Sequence, residues 1–137
     1  MKYSATQDLN KISERTSVIK TTGSELMRNA IQDILSWIEL NIDKPLSTKL
    51  LAEKTGYSVW YFLRCFKKIT GMTPVVYIKY RRMTIAKKLL ADKNRSLTDI
   101  SFDTGYSQQS SFCKAFRGFY GITPRQYRRK MQVSTSI

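Results

Sequence analysis

The tetrapeptide Thr-Gly-Tyr-Ser occurs twice in this 137-residue chain, at Thr55–Ser58 and at Thr104–Ser107. Each copy is followed at similar distance by Gly-x-Thr-Pro, first at Gly71–Pro74 and again at Gly121–Pro124. The offset is 49 at Gly56/Gly105 and 50 at Gly71/Gly121, so the second copy carries one extra residue, near Gln108. Glycine and Thr-Pro are strong local punctuation. A chain that spells them twice in this order is constrained to build one local element twice.

That element reads as a short helix, a glycine turn and a second helix. Ser47 can cap a helix from Thr48 to about Thr55, closed by Gly56, and Ser58 can cap another from Val59 to Thr70, closed by Gly71. In the second copy Ser96, with Asp99 three residues on, resembles a capping box and opens a helix to Thr104. Gly105 then precedes a helix from Gln108 to Tyr120. This is the grammar of a helix-turn-helix. Thr73-Pro74 and Thr123-Pro124 are helix starts, a capping hydroxyl followed by proline at the first helical position. The first opens a long helix to about Ala91, with Ile78, Ile85 and Leu89 on one face and a length of roughly 25 Å. The second opens a final helix to about Met131.

Ahead of the repeat, Met27, Ile31, Ile34, Leu35, Ile38 and Ile42 form a stripe at helical spacing, predicting a helix from about Glu25 to Asn41. Trp37 and Leu40 fall off that stripe. Residues 1–24 are polar and aperiodic and read as a flexible arm. The expected fold is all-α, with about seven helices over residues 25–132. It comprises two helix-turn-helix units, about 25–72 and 92–132, joined by a linker helix at 74–91.

The charge follows the repeat. The chain has 24 Lys and Arg against 10 Asp and Glu, a net charge of +14, and no histidine. No acid lies between Lys54 and Ala91 or after Thr104, and the first of those stretches holds nine Lys or Arg. Such a balance calls for a polyanion, either nucleic acid or an anionic membrane surface. No run of about 18 apolar residues exists for a membrane span and no apolar h-region for a secretory signal. Cys65 and Cys113 are too few for a disulfide framework or a metal cluster and read as cytosolic thiols, placing the chain in the cytoplasm. Without histidine there is no Ser-His-Asp or Cys-His pair, and no phosphate-binding glycine motif is present. The chain is read as no enzyme and as needing no cofactor.

In the second helix of the first copy, Phe62, Phe66 and Ile69 lie within about 60° of one another and Cys65 lies beside them. Trp60, Arg64 and Lys67 lie opposite, with Leu63 and Lys68 on the flanks. The second copy divides likewise: Phe112, Phe116 and Phe119 face inward, while Ser110, Lys114 and Arg117 face out, flanked by Gln109, Ser111 and Cys113. Both helices thus offer a basic, hydrogen-bonding face free of acids, as a major-groove helix requires. Trp60, opposite the apolar stripe, has two readings: contact with thymine methyls or sugar, or packing on a neighbouring helix. A solvated basic face, or a non-specific architectural binder, is the alternative for the whole.

The runs GYSVWYFLRCFKKITGMTP and GYSQQSSFCKAFRGFYGITPRQYR, with the helix ILSWIELN, resemble the AraC/XylS family of bacterial transcription activators, in particular its single-domain MarA/SoxS/Rob-like subgroup. The resemblance covers about Ile31 to Lys130. It implies a DNA-binding activator whose two recognition helices enter successive major grooves of promoter DNA, which binds as a monomer, contacts RNA polymerase and serves a stress or antibiotic-resistance regulon. About 30 residues precede the match, so no small-molecule effector is expected. Carried over by position, base contacts fall on Trp60, Leu63 and Arg64, then on Gln109, Ser110, Ser111, Cys113 and Lys114. Relatives tend to have Gln where Leu63 and Ser110 stand, Thr at Cys113 and Arg at Lys114, so the second half-site is expected to be read more loosely. Phosphate contacts are expected from Lys67, Lys68, Lys79, Arg81, Arg82 and Arg117, and from the helix N-termini capped by Ser47 and Ser96. Trp37 is the candidate polymerase-facing residue, or else packs on a neighbouring element.

Overall fold

The computed structural model describes residues 23–135, and the expected arm falls almost wholly outside them. The described residues form seven helices and no strand: α1 Gly23–Leu40, α2 Thr48–Thr55, α3 Val59–Thr70, α4 Pro74–Leu90, α5 Leu97–Asp103, α6 Gln109–Tyr120 and α7 Pro124–Thr135. The chain divides into two compact units. The first runs to Asn41 and resumes over Leu46–Pro74, while the second takes Ile42–Pro45 and everything from Val75.

In the first unit α1, α2 and α3 contact one another pairwise. Met27, Ile31, Ile34 and Ile38 bury the predicted stripe, Leu35 is half-buried on its flank, and Leu40 is exposed. Leu51 and Ala52 of α2 and Phe62 and Phe66 of α3 complete the core. The two phenyl rings sit 5.6 Å apart at a tilt. Each fully buried ring contributes about 1.5–3 kcal/mol of apolar transfer, which outweighs the weak helix preference of α3's aromatic and β-branched residues.

The second unit is built on Met83, Ala86, Leu90, Ile100, Phe112 and Phe116. Three of these belong to α4, so the helix expected to act as a linker is also the first core helix of this unit. Its buried spine is Met83-Ala86-Leu90, turned roughly 100° from the predicted Ile78-Ile85-Leu89 stripe. Ile78 is buried too, and Ile85 and Leu89 are half-buried. Two adjacent apolar faces on one helix give periodicity no single answer, and packing against Phe112 and Phe116 decides. Phe119, expected on the inner face, is 40% exposed. It sits in the last turn of α6, where it meets the rings of Tyr80 and Tyr120.

Two arginines hold the chain that leaves the leading helices. The Arg82 Nε donates to the Ile42 carbonyl at 3.2 Å and its Nη2 to the Lys44 carbonyl at 2.8 Å. Arg128 repeats the device beyond α4, donating from Nε to Leu90 (3.1 Å) and from Nη2 to Asp92 (3.2 Å) and Arg95 (2.7 Å). Carbonyls at and beyond a helix C-terminus lack intrahelical partners, and a guanidinium fork satisfies several at once. Arg82 is half-buried, lies 5.9 Å from the Tyr106 ring centroid, and has its pKa pulled down by burial, against the opposing pull of Tyr106 and Asp43. Two of the five N–H groups of Arg82 are thus engaged by the fold, which counts against the phosphate role expected for it.

The repeated punctuation has a structural cause. Gly56, Gly71, Gly105 and Gly121 all have positive φ, between 80° and 91°. The extra residue of the second copy also shows. Ser58 caps α3 by accepting from the Tyr61 amide, whereas α6 begins one step later, behind Gln108, with no side-chain cap.

Candidate nucleic-acid interface

Offset by 50, α3 and α6 align residue for residue, both twelve residues long: Trp60 with Ser110, Leu63 with Cys113, Arg64 with Lys114, Lys67 with Arg117. The short helices before them start at Ser47 and Ser96, whose hydroxyls accept from the Leu50 and Asp99 amides at 3.0 Å. Each short helix thereby props its recognition helix with an exposed, capped N-terminus.

On α3 the outward face is Trp60, Arg64, Lys67 and Lys68, all exposed, with Leu63 half-buried at its edge. Trp60 is 66% exposed and so is not packed into a neighbouring helix. The Arg64 guanidinium lies 5.4 Å from its ring centroid, one turn along the helix. An exposed cation–π contact of this kind contributes about 0.5–1 kcal/mol and limits the rotamers of both side chains. Tyr57 and Tyr61 extend the aromatic surface, their rings 5.2 Å apart and both largely exposed. Neither was expected from the helical pattern. Tyr57 could have been noticed inside the repeated tetrapeptide, but its counterpart Tyr106 is half-buried edge-on to Phe112.

On α6 the outward face is Ser110, Ser111, Lys114 and Arg117, all exposed. Gln109 and Cys113 are half-buried beside them. The Gln109 carboxamide oxygen accepts from the Thr98 hydroxyl of α5 at 2.8 Å. The Cys113 thiol is pushed up by burial, with Arg125 and a hydrogen bond from Gln109 acting the other way. Thr98 and Arg125 carried no motif and were not expected at this face.

Of the remaining cations, Lys79 is exposed and Arg81 half-buried on α4. Trp37 is neither in the core nor free: it is half-buried, with the Lys54 ammonium of α2 lying 4.3 Å from its ring centroid. No group of three or more potential metal ligands occurs among the described residues, nor is any described helix long and apolar enough to cross a membrane. What the geometry offers is two short capped helices and two amphipathic helices, each of the latter with an exposed, acid-free basic face.

A family model described as a helix-turn-helix domain matches residues 51–130, spanning both recognition helices. The chain belongs to the AraC-type helix-turn-helix family. It is 40% identical over 101 residues to the regulatory protein SoxS of Escherichia coli, covering 74% of this chain and 94% of SoxS. It is 35% identical over 98 residues to the multiple antibiotic resistance protein MarA of Salmonella typhimurium, covering 72% of this chain and 77% of MarA. Among solved structures it resembles an AraC-type transcriptional regulator from Chromobacterium violaceum, with a TM-score of 0.67 at 31% identity, over 76% of this chain and 93% of that one. The all-helical architecture is thus that of AraC-type DNA-binding domains.

Proposed function

We propose that the chain is a sequence-specific DNA-binding activator of transcription that reads promoter duplex with α3 and α6 in successive major grooves and recruits RNA polymerase. The observation that carries this is the duplication of one prop-and-reader unit, each with an exposed basic face free of acids. A single basic amphipathic helix would be an ordinary solvated surface. Two, each braced by a capped short helix, form a bivalent reader whose contacts reinforce one another. Its likeness to SoxS and MarA supports a stress or antibiotic-resistance regulon.

Within this reading, base contacts come from Trp60, Leu63 and Arg64 in one groove and from Ser110, Ser111 and Lys114 in the other, with Gln109 and Cys113 at its edge. Phosphates are met by Lys67, Lys68, Lys79, Arg81 and Arg117 and by the helix N-termini at Ser47 and Ser96. Trp37, with Lys54 over its ring, lies on the surface offered to polymerase. The protein acts as a monomer in the cytoplasm on an asymmetric site, without a cofactor or a small-molecule effector.

Selection of bound duplexes from a random library of about 30 base pairs, at near-physiological salt, tests the proposal. An asymmetric motif in two blocks about one helical turn apart is the expected result. Enrichment of no sequence over any other would overturn it in favour of a non-specific basic binder.

A further inference from the structure

The first unit has a cationic cleft where the second has an aromatic pair. The buried spines of α1 and α4 run in step, Ile31, Ile34 and Ile38 matching Met83, Ala86 and Leu90 at an offset of 52 residues. Between α1 and α3 lies a cleft of about 410 Å³, whose walls include Met27 and Arg28 of α1 and Tyr61, Lys68 and Ile69 of α3. Arg28 and Lys68 are exposed, and no acidic side chain lines the cleft. At the matching places the second unit has Tyr80 for Arg28, Gly118 for Lys68 and Phe119 for Ile69. The rings of Tyr80 and Phe119 meet there with centroids 6.4 Å apart. Neither place that holds a cation in the first unit holds one in the second.

Two cations lining one cleft with no acid between them leave a positive potential that an anion relieves. The cleft holds many times the roughly 30 Å³ share of a water, so it has room for a phosphate together with its sugar. An arginine fork matches two phosphate oxygens, a lysine adds a point charge, and a phenol is a further phosphate partner. The place in the fold names the polyanion. Lys68 stands on the flank of the outward face of α3, about 40° round the helix from Arg64, and the cleft begins at that flank. A helix lying in a major groove has the phosphates of the bounding strands along its flanks. We propose that the α1–α3 cleft is a phosphodiester-binding site in which Arg28 and Lys68 together hold the backbone of one strand at the edge of the first half-site. The inference rests on the reading of α3 as a DNA-reading helix, and it adds α1 to the interface. The second unit, with Tyr80 and Gly118, lacks both cations.

The experiment titrates binding of the full chain to the selected duplex between about 50 and 200 mM salt, for the wild type and four variants. Arg28→Met and Lys68→Met each remove one charge while keeping a good helix former; the double variant removes both, and Arg28→Lys keeps the charge. Each single methionine should reduce the slope of log K against log salt by about 0.9, so that the advantage of the wild type shrinks about threefold across that range. The double variant should lose about twice as much slope, Arg28→Lys should keep the wild-type slope, and thermal unfolding should show no change in any of them. Replacing single phosphates by neutral methylphosphonates locates the contact. At least one position bordering the first block should weaken binding of the wild type and leave that of the double variant unaltered. An Arg28→Met slope equal to that of the wild type, in a folded protein, would overturn the proposal. So would a variant that binds DNA as before but activates transcription poorly, which would give the cleft to an acidic protein partner instead. A library selection that yields no motif is a different failure, that of sequence-specific reading, and the salt slopes on any duplex then still decide whether the cleft holds phosphate.

Discussion

Replacing Gly105 by alanine should destabilise this protein far more than the same change at Gly56, although both glycines occupy the same place in the repeated tetrapeptide. Both adopt the left-handed region, with φ of +91° and +80°, so each alanine incurs about 1–2 kcal/mol of backbone strain. At Gly56 a Cβ would meet nothing within 4 Å. At Gly105 it would lie 2.7 Å from the Ile42 carbonyl oxygen and 2.7 Å from the Arg82 guanidinium, at both Cζ and Nη2. The guanidinium could swing away, but it is held by the Ile42 and Lys44 carbonyls, and the Ile42 oxygen is backbone and cannot yield alone. Losing two hydrogen bonds to a charged donor costs about 1.5–3 kcal/mol each, discounted where water can replace the partner. The expected totals are about 1–2 kcal/mol for Gly56→Ala and roughly 3–5 kcal/mol for Gly105→Ala. Equilibrium urea unfolding followed by circular dichroism measures both. Repeating Gly105→Ala in an Arg82→Met background completes a double-mutant cycle, in which the combined loss should fall well short of the sum. If Gly105→Ala costs no more than Gly56→Ala, or the cycle is additive, the Arg82 clamp is not what makes that glycine necessary.

Three further outcomes are expected. Arg82→Met should lower stability by about 2–4 kcal/mol while leaving the salt dependence of DNA binding unchanged, whereas Lys67→Met should do the reverse, spare stability and reduce the slope of log K against log salt by about one; titration of binding at several salt concentrations and thermal unfolding separate the two. Arg64→Ala should weaken binding to the selected site by about 1–3 kcal/mol and relax its sequence preference, so equal weakening on selected and random DNA in a mobility-shift assay would reduce Arg64 to a phosphate contact. Burial raises the pKa of the Tyr106 and Tyr120 phenols above the ordinary value of 10.0; a raised pKa means that the neutral form is favoured by folding, so the contribution is whole below about pH 10 and is lost as pH rises through the folded value. Spectrophotometric titration should therefore show late-titrating tyrosines and stability falling over that alkaline range, and tyrosines that all titrate together near the ordinary value would contradict the burial seen here.

The local elements were legible in the sequence because short-range chemistry governs them. Ser47, Ser58 and Ser96 cap where their hydroxyls meet the next turn, and the four punctuation glycines sit where only a left-handed residue ends the helix. Phe62, Phe66, Phe112 and Phe116 declared themselves as core by spacing. What was not legible depends on partners far along the chain. Arg82 and Arg128 look like any other cation of a basic chain until carbonyls 40 and 38 residues earlier are found beneath them. The buried spine of α4 lay beside an equally apolar stripe, and only the aromatic residues of α6 choose between them. Trp37 resisted for a third reason: off the stripe it could have been solvent-facing, and it took Lys54 of the next helix to cover one side of its ring.

The two reading heads share a backbone plan but not a chemistry, and the difference follows from pairs of residues rather than from single ones. In the first, an arginine stands over an exposed tryptophan one turn back, so its planar fork is already partly ordered. In the second the same two places hold Lys114 and Ser110, an unbraced point charge above a small hydroxyl. Ordering a free lysine side chain costs about as much entropy as its contact returns in water, and its ammonium cannot distinguish guanine from a phosphate by shape. Beside these two residues the Gln109 amide oxygen accepts from Thr98 of α5, so the direction of this polar side chain is set by another helix. On the proposed function, the first head thus carries the better-ordered reading pair and the second the looser one.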